Sequence, residues 1–364
     1  MTRLLIAGGG TGGHLFPGVA VAEELLARDA EAELLFVGTA RGIEARVVPE
    51  LGWNIELIDV SGIKTVGALG AVRGVLRIPG SLLQSRTIIK AFAPDVVVGV
   101  GGYASGPVVL AARLMGIRTA ILEQNSIPGM TNRILGKVAH RIFLSFAHSA
   151  SFFRASKSEL VGNPIRKQIL DGLQGSQDKT NTEFRLFIFG GSQGAWAVNQ
   201  MCCHAAKALM SEGHHLSIVH QTGKAKLDET RALYEEAGVT ADCRAFIDNM
   251  SEEYQAADLI VARAGATTIA ELGIVGKPAI LVPYPFAANN HQELNAKEMV
   301  EAGAALMIKQ DGNEDGKRMA SLIGSLLQDN CKRAEMAEAM RTLARPKAAK
   351  RVVDFVEDIP GKKA

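Results

Sequence analysis

The chain starts over. Arg3-Leu-Leu-Ile-Ala-Gly-Gly-Gly-Thr-Gly-Gly is an apolar run that breaks into a glycine loop, and Arg185-Leu-Phe-Ile-Phe-Gly-Gly-Ser-Gln-Gly repeats the pattern near mid-chain. Each reads as the first strand and first turn of its own doubly wound domain. A length of 364 residues fits two such domains. Other short apolar runs follow each opening. In the first half they are Leu34–Val37, Ile55–Asp59, Val96–Gly99, Thr119–Leu122 and Ile142–Leu144. In the second they are Leu216–His220, Arg244–Ile247, Leu259–Ala262, Ala279–Val282 and Ala305–Ile308. Runs that are apolar throughout, separated by helical patterns, are strands of parallel sheets covered on both faces. The expected fold class is α/β: two Rossmann-like domains facing a cleft, the usual place for a ligand.

The boundary is expected at 163/164, within Gly162-Asn-Pro-Ile-Arg166, where Asn-Pro breaks regular structure. This gives an N-terminal domain, 1–163, and a C-terminal domain, 164–345. The polar stretch Gly172–Glu183 reads as loop. The last helical pattern, Ala334–Ile359, is broken by Pro346, and its end, 346–359, is expected to pack back on the first domain.

The first loop contains a formal G-x-G-x-x-G at Gly8, Gly10 and Gly13. A dinucleotide site also needs an acid at the end of the second strand. That strand ends Val37-Gly38-Thr39, so a redox cofactor is disfavoured. What remains is a turn whose N–H groups can approach a phosphate at a helix N-terminus, or a tight turn without ligand. His14 closes the loop and is titratable, which makes it a candidate general base. The second loop, Gly190-Gly-Ser192-Gln-Gly194, matches G-x-S-x-G, but a nucleophile elbow does not open a domain. An anion nest using the Ser192 hydroxyl is the simpler reading.

The strongest signal is Arg263-Ala-Gly-Ala-Thr-Thr-Ile-Ala-Glu271 after the run Leu259–Ala262. Gly265–Thr268 would place a helix N-terminus against a diphosphate. Glu271, one turn on, lies on nearly the same face, and a carboxylate can accept both hydrogen bonds of a ribose diol. Alone, Glu271 fits equally well as an acid favouring the helix dipole; the loop before it points to a nucleotide sugar. The amide-rich Asn289–Asn295 and Glu123-Gln-Asn125 suit sugar hydroxyls, or are ordinary polar loops.

Net charge is +2, which gives no support for nucleic-acid binding. Cys202, Cys203, Cys243 and Cys331 have no metal-ligand or CxxC spacing and read as reduced thiols. No signal peptide is evident at the start. The longest apolar region, Val96–Ala112, is too short and too broken by glycine and proline to span a bilayer. Val60–Pro94 has no acid and five bases, Lys64, Arg73, Arg77, Arg86 and Lys90, among Ile63, Leu69, Val72, Val75, Leu76 and Ile78. Such a stretch either rests on an anionic membrane surface or is a buried helix with a solvated basic edge. No D-x-D motif occurs, so neither a metal nor another cofactor is expected.

In order along the chain stand Gly9-Gly-Thr-Gly-Gly-His14, Gly101-Gly-Tyr-Ala-Ser-Gly-Pro107, Glu123-Gln-Asn125 with Gly129-Met-Thr-Asn-Arg133, Gly162-Asn-Pro-Ile-Arg166, Gly190-Gly-Ser-Gln-Gly-Ala195 and Arg263–Glu271. From about Leu4 to Ala296 the chain resembles the MurG family, peripheral N-acetylglucosaminyltransferases of the cytoplasmic face of the bacterial inner membrane. The resemblance implies a GT-B fold and inverting transfer of N-acetylglucosamine from UDP-N-acetylglucosamine to the C4 hydroxyl of lipid I, giving lipid II. The donor would be held by the C-terminal domain and the acceptor by the N-terminal one. Ser192 and Arg166 would meet the diphosphate and nucleotide, with the helix start Ala266, Thr267 and Thr268 stabilising the diphosphate. Ile247 would offer backbone groups to uracil, Glu271 would take the ribose, and Gln292 and Asn125 the N-acetylglucosamine. Thr11, Gly12 and Gly13 would lie near donor sugar and acceptor phosphate, with Gly102, Tyr103 and Ser105 on the acceptor side. His14 would act as base, with Glu123 as the next candidate. The family often carries Gln-Gln where this chain has His291-Gln292, which leaves the role of position 291 open. Two rivals are a UDP-N-acetylglucosamine 2-epimerase, which needs no lipid acceptor, and a non-catalytic UDP-sugar sensor.

Overall fold

Both apolar openings become central strands. The structure is a computed structural model that describes residues 1–60, 67–172, 183–312 and 314–359, and for 67–78 the backbone alone. The chain divides into two units: Met1–Lys167 with Pro346–Ala364, and Gln168–Arg345.

Among the described residues the first unit has seven strands: β1 (Arg3–Gly8), β2 (Glu33–Gly38), β3 (Asn54–Leu57), β4 (Val96–Gly101), β5 (Arg118–Glu123), β6 (Arg141–Leu144) and β7 (Ser158–Leu160). They form one parallel sheet in the order β3-β2-β1-β4-β5-β6-β7. Its helices are α1 (Gly12–Arg28), α2 (Glu44–Glu50), α3 (Gly67–Phe92), α4 (Ser105–Leu114) and α5 (Met130–Val138). Alternate side chains of β1 enter different cores. Leu4 and Ile6 join Leu15, Val19 and Leu25 of α1, while Leu5 and Ala7 join Val108 and Val109 of α4. Both faces are buried, so the strand has no polar face to show, and period-2 alternation is absent from its sequence.

The second unit has β8 (Phe184–Phe189), β9 (Leu216–Gln221), β10 (Asp242–Arg244), β11 (Leu259–Ala262), β12 (Ala279–Leu281) and β13 (Ala305–Met307), all parallel, in the order β10-β9-β8-β11-β12-β13. Its helices are α6 (Lys167–Gly172), which begins at the join, α7 (Trp196–Ser211), α8 (Leu227–Glu236), α9 (Met250–Ala256), α10 (Ala266–Val275), α11 (His291–Glu301), α12 (Asp315–Gln328) and α13 (Asn330–Thr342). The last helix, α14 (Ala348–Glu357), belongs to the first unit again. Val352, Val353 and Val356 enter the core beside α1, each contributing about 1.5–3 kcal/mol of apolar burial. Arg28 at the end of α1 closes the rim, donating to Asp354 (2.8 Å) and Glu357 (2.9 Å).

Two expectations shift. The run Arg244–Ile247 is not a strand: β10 ends at Arg244, whose carbonyl takes the N–H of Thr222, and Ile247 N–H goes to a side chain instead of a ladder. β7 is an additional strand, only three residues long and polar in sequence. Of the acid-free stretch, Ile63 and Lys64 lie outside the described residues, as do the side chains of Leu69, Val72, Arg73, Val75, Leu76, Arg77 and Ile78; so does 173–182 of the expected loop.

Candidate active site

In the first unit the turn from β1 to α1 runs through positive φ at Gly8 (138°), Gly9 (140°) and Gly10 (92°), a path closed to side chains. It abuts the end of β4. A Cβ on Gly8 would overlap the carbonyl of Gly101, one on Gly102 the carbonyl of Gly9, and Gly9 N–H donates to Gly101 O at 3.2 Å. His14 rests on Gly101, where a Cβ would come within 2.7 Å of its Cδ2, and its Nδ1 lies 3.4 Å from the Thr11 hydroxyl. Thr11 is the N-cap of α1, whose first turn holds no acid, so Gly12 and Gly13 present the first N–H groups of the helix. The loop is not an open cradle throughout, because Gly10 N–H donates to the buried carboxylate of Glu44. Sequence reading missed Glu44, since nothing in the sequence connects it to the loop 34 residues earlier.

Two expected residues of this unit face inward. Ser105 is fully buried, with its hydroxyl packed over Gly99 of β4, so it belongs to the core and not to the acceptor-side loop. Tyr103 is exposed two residues before it. Glu123, at the carboxyl end of β5, is buried and holds its own loop: Oε1 accepts from Asn125 N–H (3.0 Å), Oε2 from Gly129 N–H (3.2 Å) and Asn132 Nδ2 (2.9 Å). Burial pushes its carboxyl above the usual range, and these donors oppose the shift. Its geometry is that of a residue fixing the Asn125 loop. The Arg166 guanidinium lies over the Phe16 ring of α1, 4.3 Å from the centroid.

In the second unit the β8–α7 loop turns at Gly191 (φ 96°) and Gly194 (φ 74°), leaving Ser192 exposed. A Cβ on Gly194 would overlap the carbonyl of Thr222, and one on Gly223 that of Gln193, so loop and β9 end pack backbone against backbone. Gln221 couples this loop to the next: Nε2 donates to Gly191 O (3.0 Å), and Oε1 accepts from Ile247 N–H (2.8 Å). Of the two backbone groups expected to face uracil, the Ile247 N–H is thus taken and the carbonyl remains. Beneath, Asn199 donates to Thr222 O (3.0 Å) and meets His220 Nε2 (3.1 Å), whose Nδ1 meets the Tyr234 hydroxyl (2.9 Å). Full burial depresses the His220 pKa to about 3, so the imidazole is neutral.

Gly265 caps α10, whose first turn, Ala266 to Thr268, carries no acid. Glu271 is 6% exposed, and its Oε2 accepts from Tyr254 Oη at 2.8 Å. Tyr254 was invisible as a site residue because an aromatic on a short helix reads as core; its ring does pack edge-on to Phe187 and Phe189. Arg263 serves the scaffold, donating to the carbonyls of Val282 (3.2 Å) and Pro283 (3.1 Å), and desolvation lowers its pKa to about 10. Gln292 Oε1 accepts from Tyr284 N–H (3.0 Å), which leaves its amide NH2 as the group for a sugar hydroxyl. His291 Nδ1 bonds to Ala288 O (2.8 Å) within a turn where Asn289 and Asn290 adopt left-handed φ of 53° and 56°. Position 291 thereby closes this turn, and asparagine tolerates the conformation.

The class this architecture defines is the GT-B glycosyltransferase. A family model described as the glycosyltransferase family 28 N-terminal domain matches residues 4–144, and the corresponding C-terminal domain model matches 185–352. The chain belongs to glycosyltransferase family 28. It is 49% identical over 352 residues to a UDP-N-acetylglucosamine–N-acetylmuramyl-(pentapeptide) pyrophosphoryl-undecaprenol N-acetylglucosamine transferase of Syntrophus aciditrophicus, covering 97% of each chain. The crystal structure of Acinetobacter baumannii MurG matches with a TM-score of 0.80 and 32% identity, over 98% of this chain and 99% of that one. A UDP-N-acetylglucosamine 2-epimerase structure also matches, with a TM-score of 0.66 but 13% identity over 97% and 94% of the two chains; that likeness is one of fold alone.

Proposed function

We propose that this chain transfers N-acetylglucosamine from UDP-N-acetylglucosamine to the C4 hydroxyl of the muramoyl sugar of lipid I, with inversion, giving the β-1,4-linked lipid II of peptidoglycan. The observation that carries this reading is the near-half identity, along almost the whole of both chains, with an enzyme of that name. The geometry supplies its chemistry. His14 takes the proton of the attacking hydroxyl. The first N–H groups of α10, at Ala266, Thr267 and Thr268, and the Ser192 hydroxyl stabilise the charge growing on the UDP leaving group. Glu271, oriented by Tyr254, accepts from the ribose diol. The Ile247 carbonyl accepts from uracil N3–H, and Gln292, Asn125 and Arg166 contact the donor. Thr11, Gly12 and Gly13 lie near the donor sugar and meet the acceptor diphosphate, beside Gly102 and Tyr103. Glu123 keeps Asn125 in place and has no role as base.

We further propose that the first unit rests on an anionic membrane surface at the cytoplasmic face. No helix among the described residues is long and apolar enough to cross a membrane. Leu83, Leu114 (76% exposed), Met130 and Ile134 project from α3, α4 and α5, with exposed Arg86, Lys90, Arg113 and Lys137 on the same helices. Apolar groups among bases suit lipid headgroups.

The test is transfer of labelled N-acetylglucosamine to a lipid I analogue by wild type and Glu271→Ala. Disaccharide from wild type, sharply reduced in the variant, supports reaction, donor and site together. A folded, UDP-binding protein that makes none refutes the acceptor and leaves the epimerase assay as the next step.

A further inference from the structure

Glu44 opens α2, is buried, and has no part in the roles given above. Its Oε2 accepts from Gly10 N–H at 2.7 Å. Its Oε1 accepts from Thr39 N–H (2.9 Å) and the Thr39 hydroxyl (3.1 Å). Three glycines from three segments make its space: a Cβ on Gly9, Gly38 or Gly42 would overlap the Glu44 side chain. Gly38 and Gly42 lack positive φ, so space and not backbone conformation is what excludes a side chain there. The glycine loop is therefore clamped from two sides. Glu44 holds Gly10 on one, and Gly101 and Gly102 back Gly8 and Gly9 on the other, where Gly101 also supports His14.

We propose that Glu44 is the positioning residue of the acceptor loop. Its carboxylate fills the anion position of the Gly8–Thr11 turn with a resident charge. The turn is thereby preformed, the acceptor diphosphate is confined to the N–H groups of Gly12 and Gly13, and His14 is held in place for proton transfer. The inference rests on the reading of His14 as base and of this loop as the acceptor's. Its physical basis is that a charge-assisted bond to an N–H is strong, and that the buried Glu44 carboxyl would be costly to leave without its donors.

Glu44→Gln keeps the shape but sets one acceptor oxygen against the N–H groups of Gly10 and Thr39. Turnover with a lipid I analogue is expected to fall roughly 10- to 100-fold, the scale of a misplaced catalytic group. The dissociation constant of UDP, by calorimetry on the same protein, is expected to stay within about twofold, because its residues share no partner with Glu44. A second pair of variants guards against misfolding. Gly42→Ala thrusts its methyl at the Glu44 carboxylate, the group nearest to it, so it is expected to lower turnover in the wild-type background and to add nothing to Glu44→Ala. Full turnover by folded Glu44→Gln, an equal loss of UDP binding, or additive Gly42→Ala and Glu44→Ala effects would each overturn the proposal. Wild type is the control for the underlying reading: an inactive wild type sinks that reading, whereas active wild type with unimpaired Glu44→Gln sinks this one alone.

Discussion

Tyr254→Phe removes one oxygen from a fully buried ring whose centroid lies 5.7 Å from that of Phe187 and 5.8 Å from that of Phe189. The ring packing is kept, and the 2.8 Å hydrogen bond to Glu271 Oε2 is lost. A hydrogen bond to a charged group is worth about 1.5–3 kcal/mol. Glu271 is 6% exposed, so water does not readily replace the missing hydroxyl. Part of that energy appears as UDP affinity, because the ribose diol then meets a carboxylate that has lost one of the bonds fixing its direction. A share of about 1–2 kcal/mol weakens UDP binding roughly 5- to 30-fold. The assay is calorimetric titration with UDP and with 2′,3′-dideoxy-UDP. Wild type is expected to prefer UDP, Tyr254→Phe to narrow the preference, and Tyr254→Phe to add nothing in a Glu271→Ala background. A variant that binds UDP weakly yet keeps the full wild-type preference would refute the reasoning, since the damage would then lie in the core and not at the diol.

His14→Ala is expected to cut turnover about 10²- to 10⁴-fold with the UDP dissociation constant unchanged; near wild-type turnover would remove His14 as base. His220 has a folded pKa of about 3, depressed by burial from 6.5. The unfolded chain binds the proton first as pH falls, so this contribution to stability is complete above about pH 6.5 and drains between there and pH 3, at about 1.4 kcal/mol per pH unit. Urea midpoints at pH 7.5 and 5.5 should differ accordingly, and His220→Asn should flatten the difference. Gly194→Ala forces a methyl against the carbonyl of Thr222 at a φ of 74°; it is expected to weaken UDP binding along with a loss of about 1–3 kcal/mol in stability, read by thermal unfolding with and without UDP.

The strands of the two sheets were legible because parallel strands covered on both faces must be apolar throughout, and Leu4–Ala7 and Leu186–Phe189 are so. β7 was not, because an edge strand of three residues in Ser-Glu-Leu needs no such composition. Ile247 shows the opposite failure: it is buried, which made Arg244–Ile247 read as strand, yet its N–H is served by the Gln221 side chain. Within the site, residues on one loop or one helix face could be grouped from spacing, as Gly265 and Glu271 were. Partners from separate elements could not. Tyr254 reaches Glu271 from α9, and Glu44 reaches Gly10 from α2. Ser105 and Glu123 lie in the right segments but point inward, and no local pattern records that direction.

The return of α14 to the first unit has a consequence for synthesis. The first sheet is threaded by Leu160, but the three valines that complete the core beside α1 come from a helix that follows the whole of Gln168–Arg345. At roughly 5–20 residues per second, a ribosome takes on the order of 10–40 s to cross that gap. During that interval the apolar flank of α1 is exposed, while the second unit, being continuous in sequence, can close on its own. The half made first is thus the half finished last, its valine-binding face beside α1 closing only when α14 arrives.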